Sequence, residues 1–571
     1  MRKKTTKLHI TINIWKIYKL YLTTKSSKES FLWGAVTSSY QVEGGITNND
    51  WDFFTRSDPI KQRISTLTKP SIFYKGTHQV FLRPACDAAR SWNYEYYEKD
   101  FDLARSIGMN TFRIGIEWAR LEPKKNVWDD EALRHYKRMI KAMRDKDLTP
   151  IITLNHLTLP LWISTPPSRF SKKVWQKLLP SPLRDLPLSD PVRSDSYWNS
   201  LGGWENEETV EQFIQYVSKV VSELKHEVDY WITFGEPVAS IAAGGYLSGL
   251  FPPGFFLDGE RTKKVLHNLI EAHVQAYNKI TDIDDEDGDG DGYPKKVGVA
   301  HLMMAVSPAK SEKVLGISTG DNDKSAKNFD YFINDYFLNA IINGEEDLNY
   351  LNNLQRNNKN SKDFLLHTDW KDKADFVGID YYRRVFVYNS KIVSLSSAKF
   401  VGGAPISDLK INNNQPHGIL NDLGWEIYPQ GLYHLLMKIK KQWNKPILIS
   451  ENGIADKADK YRAQFIVAHL RQVRRAINHG VNIIGYLHWS FMDNFEWQEG
   501  FRPEAKFGLF HINYSEYDPI RSPTAGVQAF EFIIRESLKE NKSGLVSESA
   551  ITKAEEKFGS FNDDGSNVIN Y

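Results

Sequence analysis

Apolar positions along this chain follow two alternating rhythms. Short runs rich in aliphatic and β-branched residues recur eight times, at 31–36, 111–118, 150–155, 230–234, 296–301, 376–381, 446–450 and 482–488. Between them the apolar positions fall at helix spacing. Val210, Phe213, Ile214, Val217, Val221 and Leu224 share one face. Leu266, Leu269, Ile270, His273 and Tyr277 share another. Phe465, Ile466, His469, Leu470 and Val473 form a third, before Gly480, which predicts a helix stop. Strands alternating with amphipathic helices predict a parallel sheet. Strands buried on both faces read as continuous apolar runs, and Ile447-Leu448-Ile449 is one. Eight such units predict an α/β fold, a single (β/α)8 TIM barrel over 30–537. The alternative is an open doubly wound sheet. It is disfavoured because no G-x-G-x-x-G follows the first strand.

Three segments break the rhythm. Residues 57–84 and 165–203 are long and rich in Pro, Ser and Lys. Excursions of that length build the rim of a site or a contact between copies. The third, DIDDEDGDGDG at 282–292, imitates the start of an EF-hand loop through Asp285, Asp287, Asp289 and Gly290. The glutamate needed at its twelfth position is Lys296, so a solvated connector is expected rather than a calcium site. Residues 1–29 carry eight Lys/Arg against Glu29 alone, and Lys16 and Lys19 interrupt the apolar stretch 8–22. That is neither a spanning helix nor a signal-peptide core. A disordered basic extension is expected, with membrane-surface attachment the lesser reading. Residues 538–571 read as a polar tail that frays.

Composition narrows the classes. Over 571 residues, 73 Lys+Arg against 71 Asp+Glu leave a net charge of +2, which excludes nucleic-acid binding driven by bulk charge. Aromatics at 13% supply both core filler and stacking surfaces for sugars. Cys86 stands alone, so neither an intrachain disulfide nor a cysteine zinc site is available. One thiol suits a reducing compartment, and a cytoplasmic protein is expected.

In a barrel of this kind, chemistry gathers at the carboxy-terminal ends of the strands. Reading those ends in order gives Gln41 and Glu43, then Arg113 and Glu117, then Asn155 and His156. Glu236, His301, Asp380 with Tyr381 and Tyr382, Glu451 with Asn452, and His488 with Trp489 follow, the last running on to Glu496 and Trp497. A lone glutamate after a strand is more often an ion-pair partner. Two of them, Glu236 and Glu451, each after an apolar strand and beside a turn, are what a glycosidase requires: one carboxyl to protonate the leaving oxygen, one to attack the anomeric carbon.

Seven motifs then occur in order: FLWGAVTSSYQVEGG, TFRIGIEWARLEP, TLNHLTLPLW, ITFGEPVAS, FVGIDYY, ILISENGIAD and GYLHWSFMDNFEW. With them the chain resembles glycoside hydrolase family 1, the β-glucosidases and β-galactosidases, from 31 to about 532. The long excursions look more like the archaeal-type branch. The resemblance implies that Glu236 is the acid/base and Glu451 the nucleophile of a retaining β-glycosidase; the alternatives are a transglycosylase moving a sugar to a non-water acceptor and a catalytically weakened sugar-binding protein. It implies that Arg113 and Tyr382 hold the nucleophile ionised and aimed. Gln41, His156, Glu496 and Trp497 would hold sugar hydroxyls, and Trp489 would stack under the ring; core packing is the second reading for both tryptophans. The resemblance assigns no role to His301, which is read as a core histidine, and Asn452 is read as shaping its turn. It implies no metal and no cofactor. The partner would be a small-molecule β-glycoside or oligosaccharide, and a homo-oligomer is compatible. Because a carboxylate at Glu496 repels phosphate, unphosphorylated sugars are expected.

Three positions depart from that pattern. Gly235 stands where the family has the asparagine that meets the sugar 2-hydroxyl. Loss of even about 2.7 kcal/mol there means about a hundredfold in rate. Another group or a water must then make that contact, or ordinary glucosides react poorly, or the space admits a substituent at carbon 2. Asp380 replaces an asparagine, and its carboxylate is expected to disfavour ionisation of Glu451. Leu157 stands where a tryptophan follows the histidine.

Overall fold

The computed structural model describes residues 30–57, 85, 88–165, 200–283, 295–310, 313–314, 317–318, 321–351, 364–394, 396–397, 399–401, 404–406, 418–514 and 519–569. The basic segment 1–29, nearly all of the first two excursions and residues 284–292 of the acidic connector lie outside the described residues.

All eight expected strands form: β1 (Leu32–Val36), β2 (Thr111–Gly115), β3 (Thr149–Asn155), β4 (Tyr230–Gly235), β5 (Lys296–Leu302), β6 (Phe376–Tyr381), β7 (Ile447–Asn452) and β8 (Ile483–Trp489). They close into one parallel barrel in which each strand pairs with its neighbours in sequence and β8 returns to β1. The second strand stops at Gly115, short of the expected 118, because Trp118–Leu121 turns into a short helix.

Helices cover the outside. They include α1 (Tyr94–Ser106), α2 (Asp130–Asp145), α3 (Glu207–Leu224), α4 (Gly259–Ile283), α5 (Asn322–Asp330), α6 (Pro429–Gln442) and α7 (Arg462–Asn478). Their starts are written locally. Asn93, Asp129 and Asn206 each accept a hydrogen bond from a first-turn amide, the N-cap arrangement. Gly480, just past α7, takes the left-handed conformation that its position at the stop predicts. The expected faces of α3, α4 and α7 are the ones that pack inward.

Two apolar layers result. The larger lies between strands and helices. The smaller fills the barrel with Leu32, Ile151, Ile232, Ala300, Phe376, Leu448 and Leu487. Glycines make room for it: a β-carbon at Gly298 would lie 2.7 Å from the Phe376 ring.

Fraying of 538–571 is overturned. Helix α8 (Ala525–Glu540) is followed by α9 (Glu548–Phe558) and a hairpin of Ser560–Phe561 with Val568–Ile569. Arg471 on α7 clamps this unit, donating to Glu555 at 2.7 Å and to Asp563 at 3.0 Å. Phe561 is buried with Ile427, Ile454 and Phe465. The turn before α9 also closes the amino-terminal end of the barrel, where Gly544 O accepts from the Trp33 indole at 2.7 Å. Among the described residues no helix is long and apolar enough to cross a membrane.

Candidate active site

The strand ends converge as barrel geometry requires, and three register shifts refine the convergence. The ladder slips between Ile232 and Gly235 on β4, between Ile379 and Asp380 on β6, and between Ile449 and Asn452 on β7. Such irregularities re-aim side chains at a barrel rim. Here they bring Glu236, Asp380 and Glu451 together, one carboxylate oxygen from each lying within 4.8 Å of the others.

Glu451 is held at both oxygens. Arg113 Nη1 donates to Oε1 at 2.9 Å and the Tyr382 hydroxyl donates to Oε2 at 2.5 Å. Arg113 crosses the barrel from β2, steadied by Thr153 Oγ1 at 2.8 Å and the Ser450 carbonyl at 3.2 Å. Burial and the neighbouring Asp380 push the Glu451 carboxyl up, while Arg113 and Tyr382 pull against them.

Glu236 sits at the turn out of β4 in a left-handed conformation (φ 51°, ψ 53°), which costs a residue with a β-carbon roughly 1–2 kcal/mol. Its amide is fixed on the Ala300 carbonyl at 2.8 Å. The following wide helical turns, Pro237–Gly244, open with proline at the first position and bring Ser240 back over the strand end. Ser240 Oγ donates to Glu236 Oε2. Burial, then Asp380, raise Glu236 to about 7, with Ser240 and Arg113 opposing. Ser240 did not figure among the sequence candidates. The proline after Glu236 and the i+4 spacing were the signal that could have found it.

Asp380 is fully buried. Its Oδ1 accepts from Ser450 Oγ at 2.6 Å and lies 3.8 Å from Arg113 Nη1. Burial lifts it to about 6. Among the described residues these three carboxylates are the one set of ligand type gathered closely enough to surround an ion, but Arg113 already places positive charge there.

The remaining candidates line the mouth unequally. His156 packs its ring 3.3 Å from where a β-carbon of Gly235 would stand, a tight approach that a side chain there would press against. Its Nδ1 is buried without a partner, and burial beside Arg113 pushes the ring well below the usual histidine range. His156 neighbours both Trp489 and Trp497, at centroid distances of 6.0 and 5.9 Å. Leu157 follows with a positive φ of 73°. Trp497 also packs in the core, against Tyr40 and Trp51. Glu496 keeps one carboxyl oxygen buried and unpaired, and burial lifts it to about 8. Gln41 is tied to the scaffold: its amide donates to the Phe495 carbonyl at 2.6 Å and to Asn494 Oδ1 at 3.4 Å, and its carbonyl accepts from Ser38 at 2.7 Å.

Four other polar groups at the strand ends stay out of the cluster. Glu43 pairs with Arg120 and Tyr136, and Glu117 accepts from Thr158, bracing the loops. His301 lies outside the wall, stacked on Phe337. Asn452 joins Tyr381 and Tyr486 across the strands.

Comparison with known proteins finds relatives over nearly the whole chain. The chain is 28% identical to a beta-galactosidase of Pyrococcus woesei, over 85% of this chain and 92% of that protein. It is 29% identical to beta-glucosidase A of Thermotoga maritima, over 86% and 95%. A 6-phospho-beta-galactosidase of Staphylococcus aureus is 26% identical over 86% and 95%. Among solved structures, a beta-glycosidase from Pyrococcus horikoshii superposes with a TM-score of 0.64 at 27% identity, covering 92% of this chain and 96% of that one. The profile of glycosyl hydrolase family 1 matches residues 23–171 and 197–538. The chain therefore belongs to glycosyl hydrolase family 1.

Proposed function

We propose that this protein hydrolyses unphosphorylated β-glucosides, β-galactosides or related β-glycosides by double displacement, with Glu451 as nucleophile and Glu236 as acid/base. The observation that carries the reading is the closeness of these two carboxylates. Retention needs carboxyl groups about 5–5.5 Å apart, whereas inversion leaves about 6.5–9.5 Å for a water. One oxygen of Glu236 lies within 4.8 Å of one of Glu451, close enough for both to reach one anomeric centre, and membership of glycosyl hydrolase family 1 supports retention.

In the first step a Glu451 oxygen bonds to the anomeric carbon as the bond to the aglycone oxygen breaks. Glu236 gives that oxygen its proton. In the second step Glu236 takes a proton from water, whose oxygen attacks the anomeric carbon and frees the Glu451 carboxylate. Arg113 and Tyr382 aim Glu451 and offset its burial. His156, Trp489, Glu496 and Trp497 form the sugar-facing wall, and Gln41 acts through Asn494 and Phe495. A cytoplasmic setting belongs to the same reading and rests on the single cysteine.

The test is hydrolysis of a panel of aryl β-glycosides beside the Glu451→Gln protein. Turnover that keeps the β configuration and vanishes in the variant is the expected result. Turnover that survives in the variant would remove Glu451 from its role.

A further inference from the structure

The carboxylate cluster contains one member more than double displacement uses. Asp380 is paired in register with Glu451 across β6 and β7. Its side chain shares the same guanidinium, since Arg113 Nη1 lies 2.9 Å from Glu451 and 3.8 Å from Asp380. Its Oδ2 is buried without a partner. The charged and titratable groups around it are Arg113 from β2, Glu236 from β4, Glu451 from β7 and Tyr382 just beyond its own strand. His301 on the adjacent β5 turns away onto Phe337.

One cation thus faces three carboxyl groups in a dry site. Charge neutrality there favours a single ionised carboxylate. The reaction requires that charge on Glu451 and a proton on Glu236. We propose that Asp380 competes with Glu451 for the one negative charge that Arg113 neutralises, and thereby holds the whole pH window of activity at higher pH than the two glutamates alone would set. Asp380 is a positioning residue for charge, and this inference rests on the glycosidase reading above.

The sign follows from the geometry. An ionised Asp380 opposes ionisation of both glutamates, and both are raised with Asp380 among the causes. Removing its charge lowers both. The acid limb of kcat/KM, set by Glu451, and the alkaline limb, set by Glu236, therefore move together toward acid. A scaffold role alone would lower the bell without sliding it.

The experiment compares pH profiles of kcat/KM on an aryl β-glycoside for the wild type, Asp380→Asn and Ser450→Ala. Carboxyl titration of glutamate-labelled protein by carbon-13 NMR accompanies them. Both limbs of Asp380→Asn should shift down by about one pH unit, a tenfold gain on the acid side. Ser450→Ala removes a donor that favours the Asp380 charge and should give a smaller shift in the same direction. Limbs that stay in place, or move to higher pH, overturn the inference. If Asp380→Asn does not fold, the direction of the Ser450→Ala shift decides alone. If the wild type turns over no glycoside, the glycosidase reading falls by itself, and the titration still decides: lowered Glu451 and Glu236 values in Asp380→Asn support the inference, unchanged values overturn it.

Discussion

Tyr382 sets its hydroxyl 2.5 Å from Glu451 Oε2 while Arg113 occupies Oε1 from the opposite side. The carboxylate is thereby fixed in direction by two donors, one from β2 and one just past the end of β6. The hydrogen bond from Tyr382 favours the ionised form and so works against burial. In Tyr382→Phe that help is lost, the Glu451 carboxyl rises further, and the acid limb of kcat/KM moves to higher pH. A hydrogen bond to a charged group is worth roughly 1.5–3 kcal/mol, so kcat/KM at the optimum should fall about ten- to a hundredfold. A pH profile of the purified variant checks both. An acid limb that stays put would mean that Arg113 alone sets the charge.

Ser240 bears on the other glutamate with the opposite consequence for the profile. Its donated hydrogen bond favours ionised Glu236, which stands at about 7. Ser240→Ala therefore raises Glu236, keeps it protonated to higher pH and extends the alkaline limb upward. The same change makes Glu236⁻ scarcer as a base in the second step. Stopped-flow measurements with an activated aryl glycoside should then show a larger burst, because release of the sugar slows more than its capture.

Gly235 bears on specificity at carbon 2. Glycine brings no side-chain amide to where the family pattern places one, and the His156 ring lies 3.3 Å from where its β-carbon would be. The 2-hydroxyl then contributes less in the transition state. Wild-type kcat/KM should drop by less than about tenfold between a plain aryl glucoside and its 2-deoxy analogue, that is, by under about 1.4 kcal/mol. A drop of a hundredfold or more would show that another group makes the contact. Gly235→Asn alone should lose activity, since the added side chain meets the histidine ring.

How much of this was legible depended on range. Eight strands showed because each is a local apolar run, and the strand ends marked Glu236 and Glu451 before any contact was known. The structure differs where distant segments decide. Residues 538–571 read as polar, yet Ala550, Ile551 and Ala554 form a narrow buried stripe on α9. Ile551 and Ala554 join the large strand–helix core, while Phe465 and Arg471 on α7 receive Phe561 and Glu555. Gln41 is the converse case: its motif is local, but its hydrogen bonds go to Ser38 and to Asn494 and Phe495, and the last two come from the far end of the chain. The closure of Gly235 by His156 likewise required knowing that β3 lies beside β4.

Glu496 makes discrimination against phosphate depend on pH. The expectation that it repels a phosphorylated sugar assumes a carboxylate, yet burial lifts the group to about 8. Below that pH it is largely neutral and repels little; as pH rises through it, the charge appears and the repulsion with it. The cations of the same loop do not compensate. Arg502 is paired with Glu499 and Glu504, and Lys506 with Asp493. Plain glycosides should therefore be preferred at every pH, and the preference over a 6-phosphoglycoside should widen between pH 6.5 and pH 9. Two like charges about 4 Å apart cost about 4 kcal/mol near a protein surface, so even partial exposure to solvent leaves a widening of about tenfold or more. The ratio of kcat/KM for the two substrates at each pH measures it. In Glu496→Gln the ratio should stay flat, which separates the charge of this side chain from the phosphate's own ionisation.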